Sequence, residues 1–327
     1  MTIASAITAA QGRVADCYTA ISNKGGTLPQ TQNLSNMPTA IDSIPSGGGI
    51  GIPREVKNGV YQMPTTSFTF SLPNDATDVD SYCLYYAFYG CTALTSVDLS
   101  SLTTVTGDGA LYYAFRDCTS LTSVNLSSLT TVSVSYGLRY VFQGCTALPS
   151  VDLSSLNTVS GDDALSSAFQ DCTALTSVNL SSLTTVSGRY VLYSAFQGCT
   201  ALPSVDLSSL TTVTGDGALS NAFRDCTSLT SVNLSSLTTV SSSYALSNAF
   251  RDCTSLTDIY FRALTTTSFG SYTNQFHGMM RNTGSTVTHT LHFPSNMEST
   301  ISGLSNYPLF GGTSGYVVCA FDLPATS

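Results

Sequence analysis

The chain has 327 residues, only 9% of them charged, with 11 basic against 20 acidic side chains and a formal net charge of −9. Ordinary soluble domains carry about 25% charged residues, so solubility here falls to Ser, Thr, Asn and Gln. So few lysines and arginines leave no basic footprint for a phosphate backbone, which argues against a nucleic-acid partner. No apolar run approaches the ~18 residues that span a bilayer, so membrane insertion is not expected.

The opening "MTIASAITAAQGRVADC" has no basic leader, continuous apolar core or clear cleavage site, and does not read as a secretory signal. A cytoplasmic product, or one that leaves the cell by another route such as lysis, is expected. Within residues 1–45, Ile3, Ile7, Ala10, Val14, Cys17 and Ile21 are spaced 4-3-4-3-4, a heptad seam on a short helical segment. Leu34, Met37, Ile41 and Ile44 repeat the spacing around Pro38. Such a seam either closes an amphipathic hairpin on itself or pairs helices of separate chains, with Ile3, Ile7, Val14 and Ile21 as the contact residues. "PSGGGIGIP", from Pro45 to Pro53, follows and marks a Gly-rich hinge assigned to residues 46–54.

The run "YTAISNKGGTLPQTQNLSNMPTAIDSIP" resembles N-terminal segments of tail-fibre and other tail-associated proteins from phages of gut bacteria. That resemblance implies attachment to other tail proteins, a homo-oligomer (a trimer by preference) and a place in the virion tail.

Residues 55–83 read as an N-terminal capping coil, because Phe70, Leu72 and Pro73 fall 27 residues before Val97, Leu99 and Ser100. Residues 84–264 then repeat one sentence. Seven units align on Leu94, Leu121, Leu148, Leu175, Leu202, Leu229 and Leu256, again 27 residues apart. From Leu121 the unit reads L-x-x-V-x-L-x-x-L-x-x-V, a turn, then L-x-x-[A/V]-F-x-x-C. Alternating Val124 and Leu126 predict a short strand with one face inward. The L-x-x-[A/V]-F-x-x-C run has the spacing of a helical or 3₁₀ turn. One coil cannot bury its own apolar edge, so the coils must stack into a solenoid with one parallel sheet. Cys91, Cys118, Cys145, Cys172, Cys199, Cys226 and Cys253 recur in identical contexts, which predicts buried thiols in a repeated pocket. No clustered ligands suggest zinc.

This pattern resembles the BspA-like leucine-rich repeat, whose units end in A-F-x-x-C; Ser100 and Ser127 stand where that family carries Pro. The resemblance implies a right-handed coil and a surface adhesin's role. Residues 265–327 read as a degenerate repeat, with Phe276 and Met279 replacing Phe and Cys, followed by a C-terminal β cap.

Asp98, Asn125, Asp152, Asn179, Asp206 and Asn233 alternate down the strand column, giving a 54-residue duplication unit. Stacked carboxylates would repel, and interleaved amides separate them. Calcium would require several converging oxygens; the chain is expected to use no cofactor or metal. No nucleophile elbow or phosphate loop is present. His277, His289 and His292 cluster in the C-terminal part, where a hydrolase would need a partner acid or nucleophile; on a strand, His289 and His292 face opposite ways.

What varies between units is informative. The two residues after the repeated Leu read Tyr85-Tyr86, Tyr112-Tyr113, Arg139-Tyr140, Ser166-Ser167, Tyr193-Ser194, Ser220-Asn221 and Ser247-Asn248, with turn residues Tyr136, Tyr190 and Tyr244 in every second unit. A constant frame with one edge drifting among Tyr, Ser, Asn and Arg has the composition of a paratope; rings that merely cover the coil edge are the other reading. Tyr85, Tyr86, Tyr112, Tyr113, Arg139, Tyr140 and Tyr193 are the candidate binding residues. The expectation is a non-enzymatic repeat protein that recognises a bacterial surface receptor, glycan or protein, from a phage tail or, alternatively, as a bacterial surface adhesin.

Overall fold

The structure, a computed structural model, describes residues 55–57, 60–62 and 65–324 apart from 73, 266–267, 269–273, 282–286, 305–306, 308–309 and 311–316. The predicted helical segment 1–45 and the hinge 46–54 lie outside the described residues. Two compact units divide the chain: residues 1–64 with 72–75, and residues 65–71 with 76–327. In the first, Glu55–Lys57 pairs antiparallel with Val60–Gln62. Within the span 55–83 read as a capping coil, the pairing with the repeats begins at the next described strand. The first parallel strand is Phe68–Ser71, with Phe70 opposite Val97.

The second unit is a parallel solenoid. Ten strands form its wide sheet in strict order along the axis, from Phe68–Ser71 through Leu94–Asp98 and Ser123–Asn125 to His289–Pro294 and Val317–Leu323. In the three-residue strands from Ser150–Asp152 to Ser204–Asp206 the middle Val points inward and its polar neighbours outward. Asp152 lies opposite Asn179 and Asp206 opposite Asn233, so carboxylate and amide alternate in register. Each side-chain oxygen also accepts the N–H two residues on, as Asp152 does from Ser154 at 2.9 Å and Asn179 from Ser181 at 3.1 Å. This turn-closing bond, which Asp and Asn make equally well, explains why both types suit the column.

A second, narrower parallel sheet joins it. Thr104–Val105 and its counterparts at 27-residue intervals, ending at Thr239–Val240, stack as six two-residue strands. The expected single sheet is therefore one of two; a two-residue strand is too short to show the alternation that reveals strands in sequence.

The third side of each coil is a ribbon of turns instead of a helix. In one coil the N–H groups of Arg139, Val141, Gln143 and Cys145 donate to carbonyls three residues back, while those of Tyr136, Leu138, Tyr140, Phe142 and Gly144 donate to the next coil at 2.8–3.0 Å. Every fourth residue has positive φ, and three columns result. The first holds Tyr82, Gly109, Tyr136, Asp163, Tyr190, Gly217 and Tyr244; the second Tyr86, Tyr113, Tyr140, Ser167, Ser194, Asn221 and Asn248. The third, just before the repeated Cys, holds only Gly or Asp (Gly90, Asp117, Gly144, Asp171, Gly198, Asp225, Asp252). A left-handed residue costs ~1–2 kcal/mol unless it is Gly, or Asn or Asp with local side-chain bonding. The inter-coil bonds offset that cost and keep the backbone from closing into a helix.

Between these sides lies a core of identical layers. Phe88, Phe115, Phe142, Phe169, Phe196, Phe223 and Phe250 are buried and stack face to face at centroid distances of 5.2–5.7 Å. Each ring contributes about 1.5–3 kcal/mol of burial. The seven cysteines are buried beside them. From Cys118 to Cys253, each thiol donates to the carbonyl of the Phe 30 residues earlier, at 2.9–3.2 Å. Threonines bridge coils likewise, Thr122 Oγ1 to the Thr95 carbonyl at 3.2 Å and Thr211 Oγ1 to that of Thr184 at 3.1 Å. The low charge content has its reason here: hydroxyls on the coil faces are spent on the neighbouring backbone.

Beyond the seventh repeat, the ribbon of Leu246–Asp252 bonds to carbonyls of Gln275, His277, Met279 and Arg281, three residues further on than the equivalent bonds between repeats, so the degenerate unit stacks with a three-residue offset. Phe276 and Met279 are buried, but this register sets them in the columns of Leu246 and Ala249 and not, as expected, in those of Phe and Cys; Met280 takes the Phe position. Strands His289–Pro294 and Val317–Leu323, with a one-turn helix Glu298–Ile301 between them, complete the cap.

Candidate functional site

The ribbon edge is where the coils differ. Its N-terminal half carries a continuous aromatic and arginine stack. Tyr86, Tyr113 and Tyr140 lie face to face at 4.6 Å per step, one coil above the next. Tyr85 stacks on Tyr112 at 5.5 Å, and Tyr112 meets Tyr113 edge-on at 4.3 Å. The Arg139 guanidinium lies 4.9 Å from the Tyr140 ring centre and 5.3 Å from that of Tyr136, donates to the Tyr140 hydroxyl at 3.3 Å, and sits 3.5 Å from Asp163. Arg116 covers Tyr113 and Tyr89 at 5.1 and 5.7 Å. Burial, aided by the neighbouring Tyr113, pushes the Tyr112 phenol well above its usual range, so it stays a neutral hydrogen-bonding group.

Six of the seven candidate residues thus form one surface: Tyr85, Tyr86, Tyr112, Tyr113, Arg139 and Tyr140. Tyr193 is not part of it. The intervening coil carries Ser166 and Ser167, both buried, and Tyr193 instead packs edge-on against Tyr190 at 5.8 Å. With Tyr190 and Tyr244 it borders a shallow groove of about 440 Å³, also lined by Arg189, Asp216, Gly217, Ser220, Ser243 and Ser247. Tyr190, Tyr193 and Tyr244 are 40%, 37% and 49% exposed. Asp216 fixes one side of this groove by accepting the Ser243 N–H at 3.1 Å.

Sequence reasoning missed Tyr89, Arg116 and Asp163. The signal lay in the four-residue step of the ribbon: Tyr89 follows Tyr85 and Arg116 follows Tyr112 by one step, so the first variable position of A-F-x-x-C belongs to the same edge.

The C-terminal histidines do not converge. His289 is buried, with Nδ1 against the Leu256 carbonyl, and burial lowers its pKa despite that bond. His277 stands on the ribbon edge, 5.8 Å from Tyr244. His292 faces outward, its Nε2 2.9 Å from Asp258 and its Nδ1 2.8 Å from Asp322, with its ring stacked on Tyr260 at 4.5 Å. Burial would lower the His292 pKa, but bonds to both carboxylates outweigh it and the net shift is upward. With both ring nitrogens so engaged, His292 reads as a clamp across three adjacent strands. Among the described residues, no group of three or more His, Cys, Asp or Glu is placed to hold a metal ion.

The Treponema pallidum leucine-rich repeat protein is 22% identical over 67% of this chain and 83% of its own, with a TM-score of 0.35. A leucine-rich repeat protein from Bacteroides ovatus is 16% identical over 79% of this chain and 94% of its own (TM-score 0.27). A leucine-rich cell surface protein from Faecalibacterium prausnitzii is 18% identical over 64% and 86% (TM-score 0.24). No curated protein matches the chain. The family model for the BspA type leucine-rich repeat region, six copies long, matches residues 55–193 and 166–289. With the A-F-x-x-C ladder and the parallel coils already described, this match identifies the chain as a member of the BspA type leucine-rich repeat family.

Proposed function

We propose that the chain is a non-enzymatic recognition protein that binds a cell-surface receptor through its ribbon edge. The observation that carries this is the contrast between an invariant interior and one varying edge. Phe and Cys recur unchanged in all seven repeats, and Val and Leu give way to Ile259 and Phe261 in the last, while the edge passes from Tyr and Arg to Ser and Asn. The exposed strand face repeats Ser-Val-Asp and Ser-Val-Asn and offers little to discriminate one ligand from another. Tyr and Arg are the side chains that most often dominate binding energy.

On the first reading the carrier is a phage tail, to which residues 1–45 attach the chain, and the receptor lies on a bacterial cell. This rests on the N-terminal resemblance. On the second, favoured by the family match, the chain is a bacterial surface adhesin. Mass spectrometry of purified virions against washed producer cells separates the two.

The edge itself is tested with fluorescent protein on a panel of intact gut bacteria and host epithelial cells. Tyr112→Ser, Tyr113→Ser and Tyr140→Ser together place residues that other coils already carry in these columns. Cell binding should fall at least tenfold with the circular dichroism spectrum retained. Ser177→Arg with Ser204→Arg on the strand face should leave binding intact. Loss on the strand face alone would move the site off the edge.

A further inference from the structure

Four coils apart, the solenoid builds the same corner twice and fills it differently. In the first copy, Tyr82 and Tyr136 flank Gly109, and the space between is occupied: Tyr112 packs edge-on against Tyr136 at 6.2 Å, and Arg139 covers Tyr136 at 5.3 Å. In the second, Tyr190 and Tyr244 flank Gly217, and Ser220 and Ser247 stand where Tyr112 and Arg139 stood. The backbone matches closely. Gly109 and Gly217 have φ of 57° and 59°, and in each case the preceding coil's tyrosine ring lies 2.6 Å from where a Cβ would sit. Short side chains alone therefore open the groove of about 440 Å³.

We propose that this groove binds a neutral, linear oligosaccharide lying along the solenoid axis. The inference rests on the ribbon edge being the recognition surface and names its ligand class. Tyr190, Tyr193 and Tyr244 expose aromatic faces that suit the C–H faces of pyranose rings. Ser220 and Ser247 form the buried floor of the groove; their hydroxyl oxygens accept from the Asn221 and Asn248 amides at 3.3 and 3.1 Å, which leaves each O–H to donate to a sugar oxygen. Arg189 and Asp216 both line the groove, so opposite charges balance and neither an anionic nor a cationic ligand is selected. Tyr190 and Tyr244 are two coils apart, about 10 Å at ~4.8 Å per coil, which fits an extended chain of sugars better than a single small molecule.

A peptide fits less well. An added strand needs unpaired backbone, but here the ribbon N–H groups are spent between coils, Tyr190 to Asp216 at 2.9 Å and Gly217 to Ser243 at 2.9 Å. Nor does the groove offer a deep apolar pocket to anchor a side chain.

The chain supplies its own control. Ser220→Tyr with Ser247→Arg installs the side chains that the first copy already accommodates and should plug the groove without unfolding the coil. Tyr190→Gly removes one wall at a column position where Gly109 and Gly217 are native. The full-length protein and both variants are applied to a printed array of neutral and anionic oligosaccharides of two to eight sugars. The wild type should retain neutral linear sugars of three or more units, and both variants should lose at least tenfold in apparent affinity. A blank array, retention of anionic sugars only, or undiminished binding by the plugged variant overturns the proposal. Cell binding that persists beside a blank array, and that is abolished by protease but not by periodate treatment of the cells, makes the receptor a protein and leaves the recognition role standing.

Discussion

Cys172 shows what each layer asks of one residue. Its side chain is buried beside Phe169, and its thiol donates to the Phe142 carbonyl at 3.2 Å, an oxygen that also accepts the Cys145 N–H at 3.1 Å. The cysteine is thus a small apolar filler with one weak donor, and the donor reaches the preceding coil. Burial pushes its pKa up to about 12, leaving about one thiolate in ten thousand at pH 8, and the thiolate is the reactive form. Labelling by a thiol-specific disulfide reagent should be slow in the native protein at Cys172 and its equivalents and complete in denaturant; fast labelling of native protein would place these thiols outside the core. Cys172→Ala should cost about 1–2 kcal/mol by urea denaturation, from the lost sulfur contacts and the lost bond.

At the level of elements, the end of the wide sheet depends on Asp258, His292 and Asp322, which come from three neighbouring strands. Tyr260 stacks on the imidazole, and Arg262 lies 5.2 Å from the Tyr260 ring centre. A protonated imidazole donates to both carboxylates, whereas a neutral one can donate to one. The folded-state pKa of His292 is raised, so its contribution is full below the unfolded value of about 6.5 and is lost as pH rises through the folded value. Asp258, held low chiefly by its bond to His292, contributes above an unfolded value of about 3.9 and loses its share as pH falls through the depressed one. His292→Gln should therefore lower the urea midpoint by an amount equivalent to about 1 kcal/mol near pH 5.5 and by much less at pH 9. An equal deficit at both pH values would show that the ring matters for packing alone.

The repeats were legible because each Leu, Val, Phe and Cys returns to the same chemical place, as Leu121, Val124, Phe142 and Cys145 illustrate. The ribbon was not, because a three-residue spacing belongs equally to a helix and to a run of i→i−3 turns. Its hint was the unbroken Gly or Asp column before the cysteines, which marks left-handed backbone. The Thr-Val strands were too short to declare themselves. The His292 clamp was hidden by insertions, since Asp258 and Asp322 lie 34 and 30 residues away and off the 27-residue period. Of the edge, the tyrosines could be read but not their division: Tyr113 is covered by its neighbours, whereas Tyr193 faces the groove. That difference depends on Ser166 and Ser220, which look alike in sequence.

On the scale of the whole molecule, the working unit is a pair of coils. Asp faces Asn in the strand column, and in the ribbon the Asp117 and Asp171 carboxylates lie over Gly144 and Gly198. Deleting residues 121–174, one 54-residue unit, joins Ser120 to Leu175 and preserves both alternations. Deleting residues 121–147 stacks Asp98 on Asp152 and Asp117 on Asp171. The longer deletion should melt within a few degrees of the parent; the shorter should be less stable by about 0.5–1 kcal/mol for each like-charge contact. A reversed order by calorimetry would break the two-coil rule. Assembly is a separate question carried by residues 1–45. Light scattering of the full chain should give a trimer, and a chain starting at Ile52 a monomer; monomers in both cases end the oligomerisation reading.

Interchangeable pairs of coils have a genetic consequence. Two stretches of coding sequence that specify nearly the same 54 residues can misalign during recombination, and the products differ by whole pairs of coils with both ends of the solenoid untouched. Because the ribbon N–H groups bond either within their own coil or to the next one in the same register, a new pair of coils meets its neighbours through the bonds already in place. Lineages can thus lengthen or shorten the ribbon edge in a single event and then change it one exposed letter at a time, a supply of variation that the proposed recognition role would draw on.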